Sequence, residues 1–216
     1  MIGAAAPQLT PALALAAYQA AMTNATKPPN VTFEYTQTRS GPKRVITEVH
    51  RVYRNAAGDE RNETLSVNGS TVAPPISVVY HKRAWPYDID KFTAAQSEYD
   101  FTLTGTSTVS GKPAYAFVAK AKAPGAFAIE ALYLAVDTGL PLRERFTANA
   151  PACAGKGSID FGAFAAYWLP ATISVSCMPP DSPGAASQLQ TATYRETIRF
   201  SNYSFPARMP PEIFGR

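Results

Sequence analysis

The chain alternates apolar and polar residues along most of its length, and only one segment has the composition of a helix. Val31, Phe33 and Tyr35 alternate with polar residues in the first clear example. This two-residue period is typical of a strand with one buried face. A chain of 216 residues with this pattern must build its core from many strands and a single helix. We therefore expect an α+β fold that is mainly antiparallel β, in one domain spanning residues 1–216.

The helix is predicted over residues 11–23, after a flexible leader of residues 1–10. The Thr10 hydroxyl can cap free backbone N–H groups, and Pro11 suits the first helical position because no hydrogen bond is lost there. Leu15, Tyr18 and Met22 fall on one stripe, while alanines fill the other faces. A helix that is apolar all round is typically enclosed. We expect a strongly curved, half-barrel sheet to wrap around it.

Turn sequences divide the rest of the chain into hairpins, such as the Asn68-Gly69 turn. The sheet is expected within residues 31–205 and is followed by a tail, residues 206–216. We predict strands over residues 31–36, 43–54, 60–67, 99–109, 113–122, 127–136, 142–148, 158–165, 171–178 and 189–203. Residues 179–184 form the most irregular loop, and no strand is assigned between residues 70 and 98.

The distribution of charge argues against a nucleic-acid site, and the hydropathy argues against a membrane-spanning helix. The net charge of +4 is spread along the chain without the basic cluster that a nucleic-acid site needs. No run of 18 apolar residues occurs, so no membrane-spanning helix is predicted. Ala4, Ala5 and Ala6 are small residues of the kind that flank a signal-peptidase cut, and they also fit an ordinary alanine-rich leader. On the first interpretation, we expect a periplasmic or secreted protein.

Several short segments follow one another in a distinctive order. They are residues 33–38, 51–54, 65–69, 111–117, 132–143, 167–170 and 200–203, with Pro210 and Phe214 near the end. In order and spacing they resemble the LolA-like superfamily of lipoprotein carriers and envelope sensors. The resemblance implies a half-barrel around a helix that holds acyl chains of lipids or lipoproteins without covalent chemistry. In carriers of this family an arginine at the end of an early strand helps to control closure of the hollow. Arg54 matches that arginine, although Asn55 stands where those carriers have proline, and an ordinary solvated arginine at the end of a strand is the alternative.

The resemblance and the alternation together indicate which side chains line such a hollow. An apolar hollow stabilises a bound acyl chain by roughly 0.8 kcal/mol per methylene. Ordinary core packing is the alternative for each apolar candidate. Trp85, with Pro86 and Tyr87, forms a stiff aromatic loop that either lies at a cavity rim or packs on the core. The candidate ligand-binding residues are Leu15, Tyr18, Met22, Phe33, Tyr35, Tyr53, Arg54, Trp85, Phe101, Tyr115, Phe117, Ile129, Tyr133, Phe146 and Phe200.

The sequence lacks the usual signatures of catalysis and of metal binding. No G-x-S-x-G, H-E-x-x-H, P-loop or C-x-x-C pattern occurs, and His50 and His81 are the only histidines. Asp88 and Asp90 have a spacing that could hold a cation or serve as acid and base, or they lie in a solvated loop. We predict a protein that is not an enzyme and has no cofactor or metal. A hydrolase that uses Asp88, Asp90 and His81 is the alternative.

The leading functional prediction is an envelope protein that binds lipid or lipoprotein acyl chains as a carrier or a sensor. One alternative is an envelope-stress regulator with a membrane-anchored anti-sigma partner. Another is a structural module without a ligand. Basic side chains on outward strand faces, Lys120, Lys122, Arg143, Arg145, Arg195 and Arg199, either meet anionic headgroups or an acidic partner, or serve as solubilising residues. The sequence predicts no particular oligomeric state.

Cys153 and Cys177 are the only cysteines in the chain. The midpoint between them, residue 165, lies where a bend between two antiparallel strands is predicted. The two thiols should therefore face each other at the open end of that hairpin, in a compartment that favours disulfides. A redox-active pair or a metal site would need C-x-x-C spacing or convergent histidines. We predict a structural disulfide.

Overall fold

A computed structural model describes residues 8–85, 89–150, 153–178 and 193–215. Within these residues the chain forms one α-helix, eleven strands and two short 3-10 helices at Ile89–Phe92 and Pro211–Phe214. The helix and strands are α1 (Pro11–Thr23), β1 (Val31–Ser40), β2 (Val45–Arg54), β3 (Glu60–Val67), β4 (Ser70–Tyr80), β5 (Tyr99–Val109), β6 (Lys112–Ala121), β7 (Phe127–Ala135), β8 (Pro141–Ala150), β9 (Cys153–Phe164), β10 (Tyr167–Met178) and β11 (Tyr194–Ser204).

All eleven strands belong to one open sheet with the order β4-β3-β2-β1-β11-β10-β9-β8-β7-β6-β5. Every neighbouring pair is antiparallel, and β11 lies between β1 and β10. The predicted architecture, a curved and mainly antiparallel sheet with one helix, is therefore confirmed. No helix in the described part of the chain is long and apolar enough to cross a membrane.

The helix begins and ends where the sequence predicts. The Thr10 hydroxyl accepts a hydrogen bond from the Leu13 N–H at 3.3 Å, and Pro11 occupies the first turn. Ala14, Tyr18 and Met22 form the buried side of α1. The turn between β7 and β8 approaches this helix so closely that a Cβ atom at Gly139 would lie 2.6 Å from the Ala14 carbonyl oxygen. The small residues of α1 therefore allow the helix to lie directly against the sheet.

The core consists of two large apolar clusters on the inner face of the sheet. The first lies beneath α1 and combines Tyr18 and Met22 with side chains from the half of the sheet that includes β6 to β9. The second is mainly aromatic and is centred on Phe33, whose ring contacts Trp85 and Phe200 at centroid distances of 6.1 and 5.8 Å. The helix therefore fills only one part of the hollow, and aromatic side chains fill the other.

The chain segments that flank the sheet also pack on it. The Leu9 N–H donates to the Val136 carbonyl at 2.8 Å, and the Tyr115 hydroxyl donates to the Leu9 carbonyl at 2.5 Å. Near the other end of the chain, Phe214 is buried. Residues 4–6 and the loop at residues 179–184 lie outside the described residues.

Strand β4 lies in a region where no strand was predicted. It contains the adjacent residues Pro74 and Pro75, which are typical of loops because proline cannot donate a ladder hydrogen bond. β4 is an edge strand, and one side of an edge strand needs no such donors. The sequence analysis assigned no strand here, and the structure adds β4.

The disulfide is confirmed. Cys153 and Cys177 are bonded with a Cα separation of 5.0 Å, across the hairpin formed by β9 and β10. Their pairing is diagonal rather than direct, because Cys177 lies opposite Gly155. A Cβ atom at Gly155 would lie 1.9 Å from the Ser176 carbonyl oxygen, so the two strands approach closely beside the bridge.

Candidate binding site

A cavity of about 310 Å³ opens at the C-terminal end of α1, against the hairpin of β9 and β10. We refer to it as the α1–hairpin cavity. Its wall is mostly apolar, and its polar residues come from the connection between α1 and β1. The principal lining residues are Met22, Asn24, Thr26, Lys27, Trp85, Leu140, Ala163, Tyr167, Trp168 and Leu169.

The hairpin side of the cavity is fixed by Trp168. Its indole N–H donates to the Pro141 carbonyl at 2.8 Å, which ties β10 to the start of β8. The ring is half-buried and packs against both the cluster beneath α1 and a smaller cluster around Leu142. Because its one polar atom has a partner, the rest of the indole is available as apolar wall.

Trp85 also lines the cavity, and it lies at the end of a segment that follows β4. This segment, residues 81–85, is held at three points. The Arg83 N–H donates to the Gly58 carbonyl at 2.9 Å, and the Arg54 guanidinium donates to the Arg83 carbonyl at 2.8 Å. The same guanidinium lies 5.9 Å from the centroid of the Trp85 ring. Arg54 therefore positions Trp85 at the cavity wall.

Two buried carboxylates support the same segment. Glu60 is paired with both Arg54 and Arg83, at 3.5 and 3.1 Å. The neighbouring carboxylate of Asp59 lies 3.1 Å from His81 Nδ1. Since buried carboxylates are stable only when they are well paired, these contacts hold residues 81–85 against the turn between β2 and β3.

The carboxyl of Glu144 is fully buried beneath α1. The Tyr18 hydroxyl donates to Glu144 Oε1 at 3.3 Å and accepts a hydrogen bond from the Ala94 N–H at 2.8 Å. Glu144 Oε2 has no hydrogen-bond partner among the described residues. Burial raises the pKa of Glu144 well above its usual value, against the opposing effect of the Tyr18 hydrogen bond. Burial and then the proximity of Glu144 raise the pKa of Tyr18.

The candidate ligand-binding residues are distributed over three places. Met22 and Trp85 line the cavity, with Arg54 beside Trp85. The others that face inward belong to the two core clusters. Beneath α1 these are Leu15, Tyr18, Phe101, Tyr115, Phe117, Ile129 and Phe146, and in the aromatic cluster they are Phe33, Tyr35 and Phe200.

Tyr53 and Tyr133 were expected to face inward, and the register places them on the outer face. Val52 packs in the aromatic cluster, so its neighbour Tyr53 points the other way. A β-bulge between Ile129 and Ala131 shifts the alternation in β7, so that Leu132 packs beneath α1 and Tyr133 pairs with Arg143. Strict alternation cannot anticipate a residue inserted in this way.

The hydrolase alternative is not tested by the described residues, which include only His81 of its three side chains. His81 pairs with Asp59, and His50 stacks on Tyr35 with a centroid distance of 4.6 Å. Burial lowers the pKa of His50. Asp88, Pro86, Tyr87 and the side chain of Asp90 lie outside the described residues. The described part of the chain contains no group of three His, Cys, Asp or Glu side chains placed to hold a metal ion.

Sequence reasoning did not assign Lys27, Leu140, Tyr167, Trp168 or Leu169 to the site. Residues 167–170 did stand out in the sequence, but as a marker of fold. A usable signal was the tryptophan content, because Trp85 and Trp168 are the only tryptophans and both line the cavity.

Comparison with known proteins bears on the fold. No protein-family model matches the chain, and no curated protein matches its sequence. A DUF1329 family protein from Desulfovibrio piger matches with a TM-score of 0.50 and 13% identity, over 94% of this chain and 96% of that chain. A putative outer membrane lipoprotein-sorting protein domain from Vibrio parahaemolyticus also matches with a TM-score of 0.50, at 11% identity over 93% and 95% of the two chains. The fold is therefore LolA-like, and the resemblance seen in the sequence is confirmed at the level of fold.

Proposed function

We propose that this protein binds an acyl chain of a lipid or lipoprotein in the α1–hairpin cavity, without covalent chemistry, as a carrier or a sensor. The observation that carries the proposal is the cavity itself, an open space that both tryptophans of the chain line. An apolar wall with a polar rim is the usual form of a site for an amphipathic ligand.

The size of the cavity limits what it can hold. At about 310 Å³ it lies at the small end of ligand sites. This favours one acyl chain, or part of one, over a bundle of chains. Burial of six methylenes would contribute about 5 kcal/mol, before the cost of association.

The proposed location is the periplasm or another extracytoplasmic compartment. The disulfide between Cys153 and Cys177 supports it, since such bonds persist in oxidising environments. The lipoprotein-sorting description of the structural neighbour from Vibrio parahaemolyticus is consistent with the proposed ligand class. The proposal requires no cofactor and no catalytic residue.

Tryptophan fluorescence tests the proposal directly, because every tryptophan of the chain reports on the cavity. A fatty acid brominated near the end of its chain should quench the emission with micromolar affinity or better. The unbrominated fatty acid should compete without quenching. Absence of quenching, together with absence of a lipid-sized adduct in native mass spectrometry of protein from its own envelope, would contradict the proposal.

A further inference from the structure

The outer face of strands β8 to β11 carries a group of basic side chains. Glu144 and Phe146 of β8 pack in the core, so Arg145 between them points to the outer face. The same argument applies to Arg199, which lies between Ile198 and Phe200 of β11. On this face β8 to β11 present five cations, which we call the outer basic patch: Arg143, Arg145, Lys156, Arg195 and Arg199.

Two of the five cations are neutralised locally. Arg143 makes a two-point ion pair with Asp160, in which Nη2 lies 2.9 Å from Oδ2. Lys156 lies 3.4 Å from Glu130 of the neighbouring strand. Arg145, Arg195 and Arg199 are exposed, and no carboxylate among the described residues forms an ion pair with them. These three arginines therefore offer their charge to a partner.

Hydroxyl side chains fill the space between the three arginines. Arg145 lies opposite Ser158, Ser158 opposite Ser174, and Ser174 opposite Thr197, which is flanked along β11 by Arg195 and Arg199. At about 4.8 Å per strand and 3.3 Å per residue, the arginines span an area roughly 14 by 13 Å. This area is too wide for one small anion and suits an extended surface of phosphates.

We propose that the outer basic patch docks on a membrane surface with anionic phospholipid headgroups. Guanidinium and hydroxyl groups donate hydrogen bonds, and phosphate oxygens accept them. A guanidinium also binds phosphate with well-defined geometry. A protein partner would be expected to bury an apolar or aromatic anchor at the centre of its interface. Only hydroxyls lie at the centre of this patch. The position of the patch on the sheet also fits membrane docking. A flat surface touches a convex sheet first along its middle strands, and β10, which lies within the patch, is the sixth of the eleven strands.

Vesicle flotation tests this proposal. The full chain should float with vesicles that contain phosphatidylglycerol and not with vesicles of phosphatidylcholine alone, and added salt should release it. The triple variant Arg145→Gln, Arg195→Gln, Arg199→Gln should bind phosphatidylglycerol vesicles about a hundredfold more weakly. The matched control Arg44→Gln, Lys112→Gln, Arg208→Gln removes the same charge from exposed residues elsewhere and should bind nearly as wild type.

Three outcomes would overturn the proposal. They are absence of binding to phosphatidylglycerol vesicles, equal weakening by both triple variants, and patch-dependent binding to an acidic polypeptide in place of vesicles. Circular dichroism establishes that the variants are folded. The Ala163→Leu variant, which narrows the α1–hairpin cavity, should leave vesicle binding unchanged. Surface docking and acyl-chain binding can therefore succeed or fail separately.

Discussion

The hydroxyl of Tyr18 and the carboxyl of Glu144, 3.3 Å apart, join α1 to strand β8 through a hydrogen bond buried in the core. The pair belongs to elements separated by 126 residues in sequence. Because Glu144 Oε2 has no partner among the described residues, ionisation of this carboxyl would leave a buried charge beneath the helix.

The Glu144→Gln variant should be more stable than wild type, by an amount that grows with pH. The folded-state pKa of Glu144 is raised by burial, so the folded state keeps its proton at pH values where the unfolded state has released it. Wild type therefore loses stability as pH rises from the unfolded pKa to the folded pKa. Glutamine stays neutral and can still accept the Tyr18 hydrogen bond. At the highest pH values of the series, we expect the free energy of unfolding of Glu144→Gln to exceed that of wild type by at least about 1 kcal/mol. Urea unfolding at a series of pH values measures this difference.

Glu130→Gln is the matched control for this measurement, because Glu130 lies on the sheet but is partly exposed. It should change stability by no more than about 0.5 kcal/mol at any pH. If the free energies of unfolding of wild type and Glu144→Gln change with pH in the same way, the assignment of a raised pKa to Glu144 is wrong.

Loss of the disulfide should destabilise the fold without changing its structure. The bridge closes a loop of 24 residues, which corresponds to roughly 3.5 kcal/mol on the chain-entropy estimate. Equilibrium unfolding of the double variant Cys153→Ser, Cys177→Ser should show this loss against oxidised wild type. Reduced wild type is the internal control and should match the variant. A loss below about 0.5 kcal/mol would mean that strain cancels the entropic gain.

Ala163→Leu should weaken acyl-chain binding by partly filling the α1–hairpin cavity. Ala163 is exposed and lines the cavity, so the larger side chain occupies open space and should change stability little. We expect at least tenfold weaker quenching by the brominated fatty acid, equivalent to about two lost methylene contacts. Ala16→Leu, on the exposed side of α1, makes the same chemical change away from the cavity. Equal affinities of the two variants would place the ligand elsewhere.

Arg54→Ala should release Trp85 from its position at the cavity wall. The substitution removes the hydrogen bond to the Arg83 carbonyl and one of the two cations paired with Glu60. In a Trp168→Phe background, Trp85 is the sole tryptophan, and its emission should move to longer wavelength as the ring becomes hydrated. Arg51→Ala in the same background removes a pair with Glu34 and should leave the emission unchanged. Unshifted emission in the Arg54→Ala variant would show that Trp85 is held without Arg54.

Local patterns predict the parts of this fold that depend on neighbouring residues. The cap at Thr10, Pro11 and the alanine-rich run define α1 to the residue. The cysteines were placed on one hairpin by their distance from its bend, and the bond is formed. In both cases the determining residues lie close to one another along the chain.

The cavity could not be located in the same way, because its walls come from distant segments. The order of the strands and the contact of Arg54 with Arg83 bring these segments together. The lining residues that they supply include Met22, Trp85, Leu140 and Trp168. No short pattern encodes such a meeting. Bulges add a second difficulty, since a single inserted residue in β7 was enough to place Tyr133 on the outer face.

The position of β11 between β1 and β10 has a consequence for biogenesis. Strands β1 to β4 and strands β5 to β10 form two meanders, and the sheet becomes continuous only when β11 pairs with both. A chain that emerges from its N-terminal end during synthesis would therefore hold two incomplete halves until residues 194–204 emerge. During that interval β1 and β10 expose unpaired edges, which are targets for aggregation and proteolysis. The step most dependent on a chaperone should therefore be the arrival of the last strand.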